Sequence, residues 1–197
     1  MEELEERKHP RLKGYDYSNN GKYFLTLCAK DRRSIFGKIG PVGRGIPDAP
    51  FPGTETEPEI DPVGRGILDA PFVQLSEYGK NVINAIEFIN KQNDKPHIDK
   101  YVIMPNHVHL IVTVNFENGA SGKPRPTNAA IPKIISSIKR FTNKQAGFEI
   151  WQTSYHDHII RNEADYRRIW QYIDENPAKW AEDEYYVRAK RNPRLGG

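Results

Sequence analysis

Lys22 to Lys30 (KYFLTLCAK), a mostly apolar run closed at both ends by lysine, reads as a strand. The pattern then changes. Ser76 to Lys91 carries Val82, Ile83, Ile86, Phe88 and Ile89 at helical spacing, with Ser76 placed as the N-cap. Two more strands follow, Ile98 to Met104 and His107 to Asn115, joined by the turn-like Pro105-Asn106, so an antiparallel pair is expected. A Gly/Ser/Pro-rich loop over Glu117 to Pro126 leads to Ile131 to Gln145. There Ile131, Ile134, Ile135, Ile138 and Phe141 form one stripe, and Lys133, Lys139, Arg140 and Lys144 lie off it, which predicts an amphipathic helix with a basic face. Phe148 to Arg161 reads as a strand broken near Thr153-Ser154. Asn162 caps a last helix from Glu163, which Pro177 must end nearby. The order β, α, β, β, α, β, α predicts a ferredoxin-like α+β sandwich, an antiparallel sheet with its helices covering one face.

One segment falls outside this periodicity. PVGRGIPDAPF at Pro41 to Phe51 recurs as PVGRGILDAPF at Pro62 to Phe72, offset by 21 residues, in a Pro/Gly/Asp-rich stretch with no period that buries a core. Residues 37–75 are therefore expected to be a flexible, repeat-bearing insertion in a single domain spanning 1–197. Charge sharpens the contrast. Residues 41–72 hold six acidic and two basic side chains, a net −4, so a chain of +3 overall keeps +7 on its other 165 residues. Part of that positive charge sits in the tail 185–197, through Arg188, Lys190, Arg191 and Arg194. A basic body is compatible with a polyanionic partner. The single cysteine, Cys28, excludes a disulfide scaffold and a cysteine-rich zinc site. The opening MEELEERKHP has no apolar h-region, and no later stretch approaches the roughly 20 apolar residues a membrane helix needs, so a cytoplasmic protein without a membrane partner is expected.

Three constellations carry candidate chemistry. His107 and His109 flank Val108 on a strand, so their imidazoles project to one face and can share a divalent metal. His156, Asp157 and His158 repeat the pattern and are either a second half of a hydrolytic metal site or an ordinary polar strand. On the last helix Tyr172 and Asn176 stand four residues apart and share a face, while Tyr166, Ile169 and Ile173 form the core stripe. A tyrosine ester of DNA retains the energy of the phosphodiester and can be resolved by a 3′-hydroxyl, the logic of strand transfer without ATP.

The motifs MPNHVHLIV (Met104 to Val112), WQTSYHDHIIRNEADYR (Trp151 to Arg167) and YIDENPAK (Tyr172 to Lys179) occur in that order. Together they resemble the REP-associated tyrosine transposases, a branch of the HUH single-tyrosine transposases related to insertion sequence 200. The resemblance implies that Tyr172 is the nucleophile and that His107 and His109 are catalytic metal ligands. It implies Asn176 as the third ligand and a divalent ion, Mg²⁺ or Mn²⁺, as cofactor. Glu175 competes with Asn176 on charge, since a carboxylate is the better magnesium ligand, and the family pattern decides for the amide. The implied reaction is cleavage and transfer of single-stranded DNA near hairpins of repeated palindromes, by a monomer or homodimer associated with the nucleoid. Lys139, Arg140, Lys144, His158, Arg161, Arg167 and Arg168 are then candidate DNA contacts, and Trp151, Tyr155 and Trp170 candidate stacking aromatics. Two rival classes stay open: a hairpin-binding relative that has lost cleavage, and a metal hydrolase built from both H-x-H motifs.

Overall fold

β1 (Gly21–Cys28) shows how the chain divides its side chains. Tyr23, Leu25 and Leu27 enter one hydrophobic cluster, and Phe24 packs into another on the opposite side. The computed structural model describes residues 20–40, 71–92, 96–115 and 130–186. Most of both repeat copies, the loop 117–126 and the tail arginines and lysine lie outside the described residues.

β1 is an inner strand of a four-stranded antiparallel sheet whose order is β4 (His97–Ile103), β5 (His107–Val114), β1, β6 (His156–Ile160). In sheet-strand sequence order this is 2-3-1-4, the ferredoxin-like arrangement expected. β4 and β5 form the anticipated adjacent pair across Met104 to Asn106. α1 (Glu77–Asn90) begins at Ser76, whose Oγ accepts from Gly79 N–H at 3.3 Å and donates to the Ile35 carbonyl at 2.6 Å. α2 (Ala130–Ala146) buries the expected isoleucine stripe. α3 (Glu163–Glu175) is capped by Asn162, whose Oδ1 accepts from Asp165 N–H at 2.8 Å.

The helices do not all cover one face, which corrects the sequence reading. α1 and α2 pack on the side of Leu25, Val108, Leu110 and Val112. Ile169 and Ile173 of α3 pack with Val102, Met104, Ile111 and Ile160 on the other. Strand alternation is symmetric between faces, so helix amphipathicity alone cannot assign a side.

Of the stretch 148–161, only His156–Ile160 is strand; Trp151 makes an isolated bridge to Ala29. The break falls at Gln152 to Ser154, as expected. The three carbonyls there accept from Lys139 Nζ at 2.6, 3.1 and 3.3 Å. The described ends of the stretch expected as an insertion, 37–40 and 71–75, are structured. Gly37–Ile39 (β2) pairs antiparallel with Val73–Leu75 (β3), so both ends of 37–75 are built into a ribbon. Gly37 serves close approach, since a Cβ there would come within 2.6 Å of the Gln74 carbonyl oxygen.

Candidate active site

His107 and His109 stand first and third on β5, and Val108 between them enters the α1/α2 core. Both imidazoles therefore lie on the α3 side, where the His109 ring stacks on Phe24 with centroids 5.1 Å apart. Rather than bordering open solvent, they are buried, 0% and 1% exposed. Their Nε2 atoms are 2.9 Å apart.

The proton on His107 follows from its neighbour. Asn106 Nδ2 donates to the carbonyls of Arg32 at 3.2 Å and Tyr185 at 2.8 Å, which leaves Oδ1 to accept from His107 Nδ1–H at 2.9 Å. A neutral imidazole protonated at Nδ1 presents a bare lone pair at Nε2. Thr26 Oγ1 lies 2.9 Å from Nδ1 of His109 and can accept there in the same way. Burial, with the nearby Arg32 charge, lowers the His107 pKa to about 3. Burial, then His107, holds His109 well below its ordinary value. Both rings are neutral at pH 7, the state in which histidine ligates metal.

Asn176 is the C-cap of α3 and keeps helical angles (φ −57°, ψ −43°), so Pro177 does not swing it off the helix. It is 2% exposed, and among the described residues its buried Oδ1 has no hydrogen-bond partner. Glu175 turns elsewhere: its two oxygens take Gln171 Nε2 and Lys179 Nζ, each at 2.6 Å.

Sequence reasoning missed Asp183. This carboxylate, 2% exposed, closes the short 3-10 helix Trp180–Glu182. Its Oδ2 is 3.2 Å from Asn176 Nδ2 and 3.9 Å from His107 Nε2, and its Oδ1 accepts from Tyr185 N–H at 2.7 Å. His107, His109 and Asp183 offer ligand atoms all within 4.8 Å of one another, a group able to hold a metal ion. No spacing rule links an aspartate after the last helix to a strand pair; only the return of the chain over β5 does.

The Tyr172 hydroxyl lies 3.4 Å from His109 Nε2 and 3.5 Å from Asp183 Oδ2. Burial and the Asp183 charge push its pKa up to about 12, so the phenol is protonated at rest. It is 38% exposed and opens onto a cleft of about 570 Å³ lined also by Phe24, His158, Arg168 and Lys179.

The remaining candidates divide by face. His158 and Arg168 reach the cleft but share Asp165, at 2.8 and 2.6 Å, and the His158 hydrogen bond holds the Asp165 carboxyl below its ordinary pKa. Arg167 pairs with Glu163 at 3.1 Å, and Arg161 is exposed just past β6. Lys139, Arg140 and Lys144 ride on α2, across the sheet from the histidines, and Lys139 is held by the loop carbonyls of 152–154. Trp151 and Tyr155 are core residues, and Trp151 Nε1 donates to Thr142 Oγ1 at 2.7 Å. Trp170 lies on α3, partly buried, with Lys100 Nζ 4.2 Å from its ring centroid. The second H-x-H shares the face of the first, since Thr26 pairs with both His109 and His156, but neither His156 nor His158 joins the metal-capable group. Burial raises the Cys28 thiol to about 11, which leaves it inert at neutral pH.

No family model matches the chain. An uncharacterised protein of Haemophilus influenzae is 29% identical over 203 residues, 93% of this chain and 95% of that one. A REP-associated tyrosine transposase of Escherichia coli K12 is 32% identical over 92 residues, 46% of this chain and 50% of that one. The structure of a REP-associated tyrosine transposase bound to a REP hairpin superposes with a TM-score of 0.53 at 20% identity, over 88% of this chain and 76% of that one, and shares the α+β fold. Among the described residues no helix is long and apolar enough to cross a membrane.

Proposed function

We propose that this chain, a relative of the REP-associated tyrosine transposases, is a metal-dependent enzyme that nicks and transfers single-stranded DNA beside hairpins through a 5′-phosphotyrosine link. The observation that carries the reading is Asn176 Oδ1. Among the described residues it is a buried acceptor with no partner, on a side chain that lines the same cleft as His109 and bonds Asp183 through Nδ2 at 3.2 Å. An unpartnered buried acceptor is costly unless a ligand completes it.

The donor set fits a divalent ion: His107 Nε2, His109 Nε2, Asn176 Oδ1 and the Asp183 carboxylate would hold it, with Mg²⁺ or Mn²⁺ suited to the mixed nitrogen and oxygen ligands. Such an ion, when bound, polarises a phosphoryl oxygen and offsets developing charge. The chain's own residues do the rest. Asn106 and Thr26 orient the two imidazoles. α3 holds the Tyr172 hydroxyl at the mouth of the cleft. The phenol oxygen attacks phosphorus and its proton passes to Asp183, 3.5 Å away, while the P–O3′ bond breaks and the leaving 3′ oxygen takes a proton from solvent, to which Asp183 then returns the one it accepted. Attack of another 3′-hydroxyl on the phosphotyrosine reverses the step and joins the strands.

Incubation of the full chain with hairpin-bearing single-stranded DNA and Mg²⁺ or Mn²⁺, followed by denaturing electrophoresis, should reveal a protein–DNA adduct that EDTA prevents. DNA retained without an adduct would favour a binding module that has lost cleavage. Metal-dependent cleavage that persists in Tyr172→Phe would favour the hydrolase.

A further inference from the structure

At the end of β1 the backbone takes an unusual path. Asp31 and Arg32, consecutive and neither of them glycine, have φ of 58° and 51°. An arginine is a poor occupant of left-handed backbone, where its Cβ crowds the following carbonyl, and such outliers persist only where the surroundings hold them. Here Arg32 N–H donates to the Ala29 carbonyl at 3.0 Å, and the Arg32 carbonyl accepts from the same Asn106 amide that sets the His107 proton. The turn is thus bonded into the histidine site.

Its side chain completes the picture. The Arg32 guanidinium stacks 5.3 Å from the Tyr185 ring centroid, and that ring lies 4.7 Å from His107. The cations of the cleft are already paired, Arg168 with Asp165 and Lys179 with Glu175. Arg32 is exposed and, among the described residues, bonds only one acceptor with its side chain, the Glu184 carbonyl at a long 3.5 Å. An exposed, stacked, carboxylate-free guanidinium retains donors with the fork geometry that phosphate takes.

We propose that Arg32 is a phosphate-binding residue of this site, held on its rim by the left-handed turn, and that it takes a backbone phosphate of the single strand next to the one Tyr172 attacks. This rests on the DNA-cleaving reading above. Fluorescence anisotropy of a labelled single-stranded hairpin oligonucleotide, titrated with the full chain at several salt concentrations, tests it together with thermal melting. Arg32→Gly removes the guanidinium and suits the backbone. It should weaken binding about tenfold, lower the slope of log affinity against log salt by about 0.7, and leave the melting temperature equal or higher. Arg32→Lys should recover part of the affinity. Unchanged binding and slope in Arg32→Gly would overturn the proposal, and a lower melting temperature would show a structural role instead. Binding is read without cleavage, so the two readings separate. Loss of affinity in Arg32→Gly with no adduct from the wild type would sink the phosphotyrosine step alone. An adduct with unaltered Arg32→Gly binding would sink Arg32 alone, and a wild type that does not bind the oligonucleotide would sink both.

Discussion

On the α1/α2 side of the sheet, Leu25, Leu27, Val108, Leu110 and Val112 meet the isoleucines of α2 with no exposure above 5%. On the α3 side the same strands present Thr26, His107 and His109, equally hidden from water and polar, beside a partly buried Phe24. Burial is alike; satisfaction is not. The first face is complete in itself, because apolar groups need only each other. The second buries neutral imidazoles and a carboxamide oxygen without a partner, a cost that dry packing does not offset. Unlike a core, such a face has an acceptor left over, the group that the proposed metal ion would complete.

The sharpest way to break this comparison is to alter one side chain on each face. Tyr172→Phe should abolish the protein–DNA adduct on denaturing gels while leaving hairpin binding and the melting temperature nearly unchanged. Leu110→Ala should do the converse to the fold, losing about 2–5 kcal/mol in chemical denaturation, as buried leucines generally do. If Tyr172→Phe proved the more destabilising, the α3 face would be a core after all.

Acid should distinguish the faces next. The histidine pKa values are lowered in the folded chain, so the unfolded chain binds more protons below its ordinary histidine value near 6.5. Stability should therefore be full above that pH and fall as pH drops towards about 3, the His107 value. Thermal melts across this window should show the decline, and replacing both histidines by asparagine should flatten it. Added Mn²⁺ should raise the melting temperature more at pH 7.5 than at pH 5.5, because protons compete for the same Nε2 atoms.

Asn176→Ala should raise the metal concentration needed for cleavage about tenfold or more, and Glu175→Ala should have little effect, since Glu175 already pairs with Gln171 and Lys179. The reverse ranking in parallel metal titrations would place the carboxylate in the site. Asp183→Asn belongs in the same series, expected between the two. The smallest effect concerns the insertion. Deleting residues 41–61, one repeat with its spacer, should change stability by no more than about 1 kcal/mol, since shortening a loop alters closure entropy only slowly with length and β2 and β3 keep their pairing. A large fall in the melting temperature would show that the repeats pack.

Much of the molecule was legible along the chain because its determinants are local. Ser76 and Asn162 cap helices through bonds three residues long, the H-x-H spacing puts two imidazoles on one side of a strand, and the isoleucines of α2 repeat with the helical turn. The motif resemblance singled out Tyr172 and Asn176, and in the structure the Tyr172 hydroxyl lies 3.4 Å from His109 Nε2 while Asn176 lines the same cleft. What stayed hidden depends on distant parts of the chain meeting. The face chosen by α3 follows from tertiary packing on Val102, Met104, Ile111 and Ile160, and a strand's alternation is silent about which side a helix will take. Lys139 looked like a phosphate ligand on a basic helix until a loop brought three carbonyls to it, and a lysine's periodicity is the same whether it meets water, DNA or backbone. Asp183 reaches the histidines only because the chain after α3 turns back across β5, tied there by Asn106 to the Tyr185 carbonyl. Residue types and spacing thus determined which groups were available for chemistry. Contacts between residues far apart in sequence, which no local period encodes, decided which of them share a site.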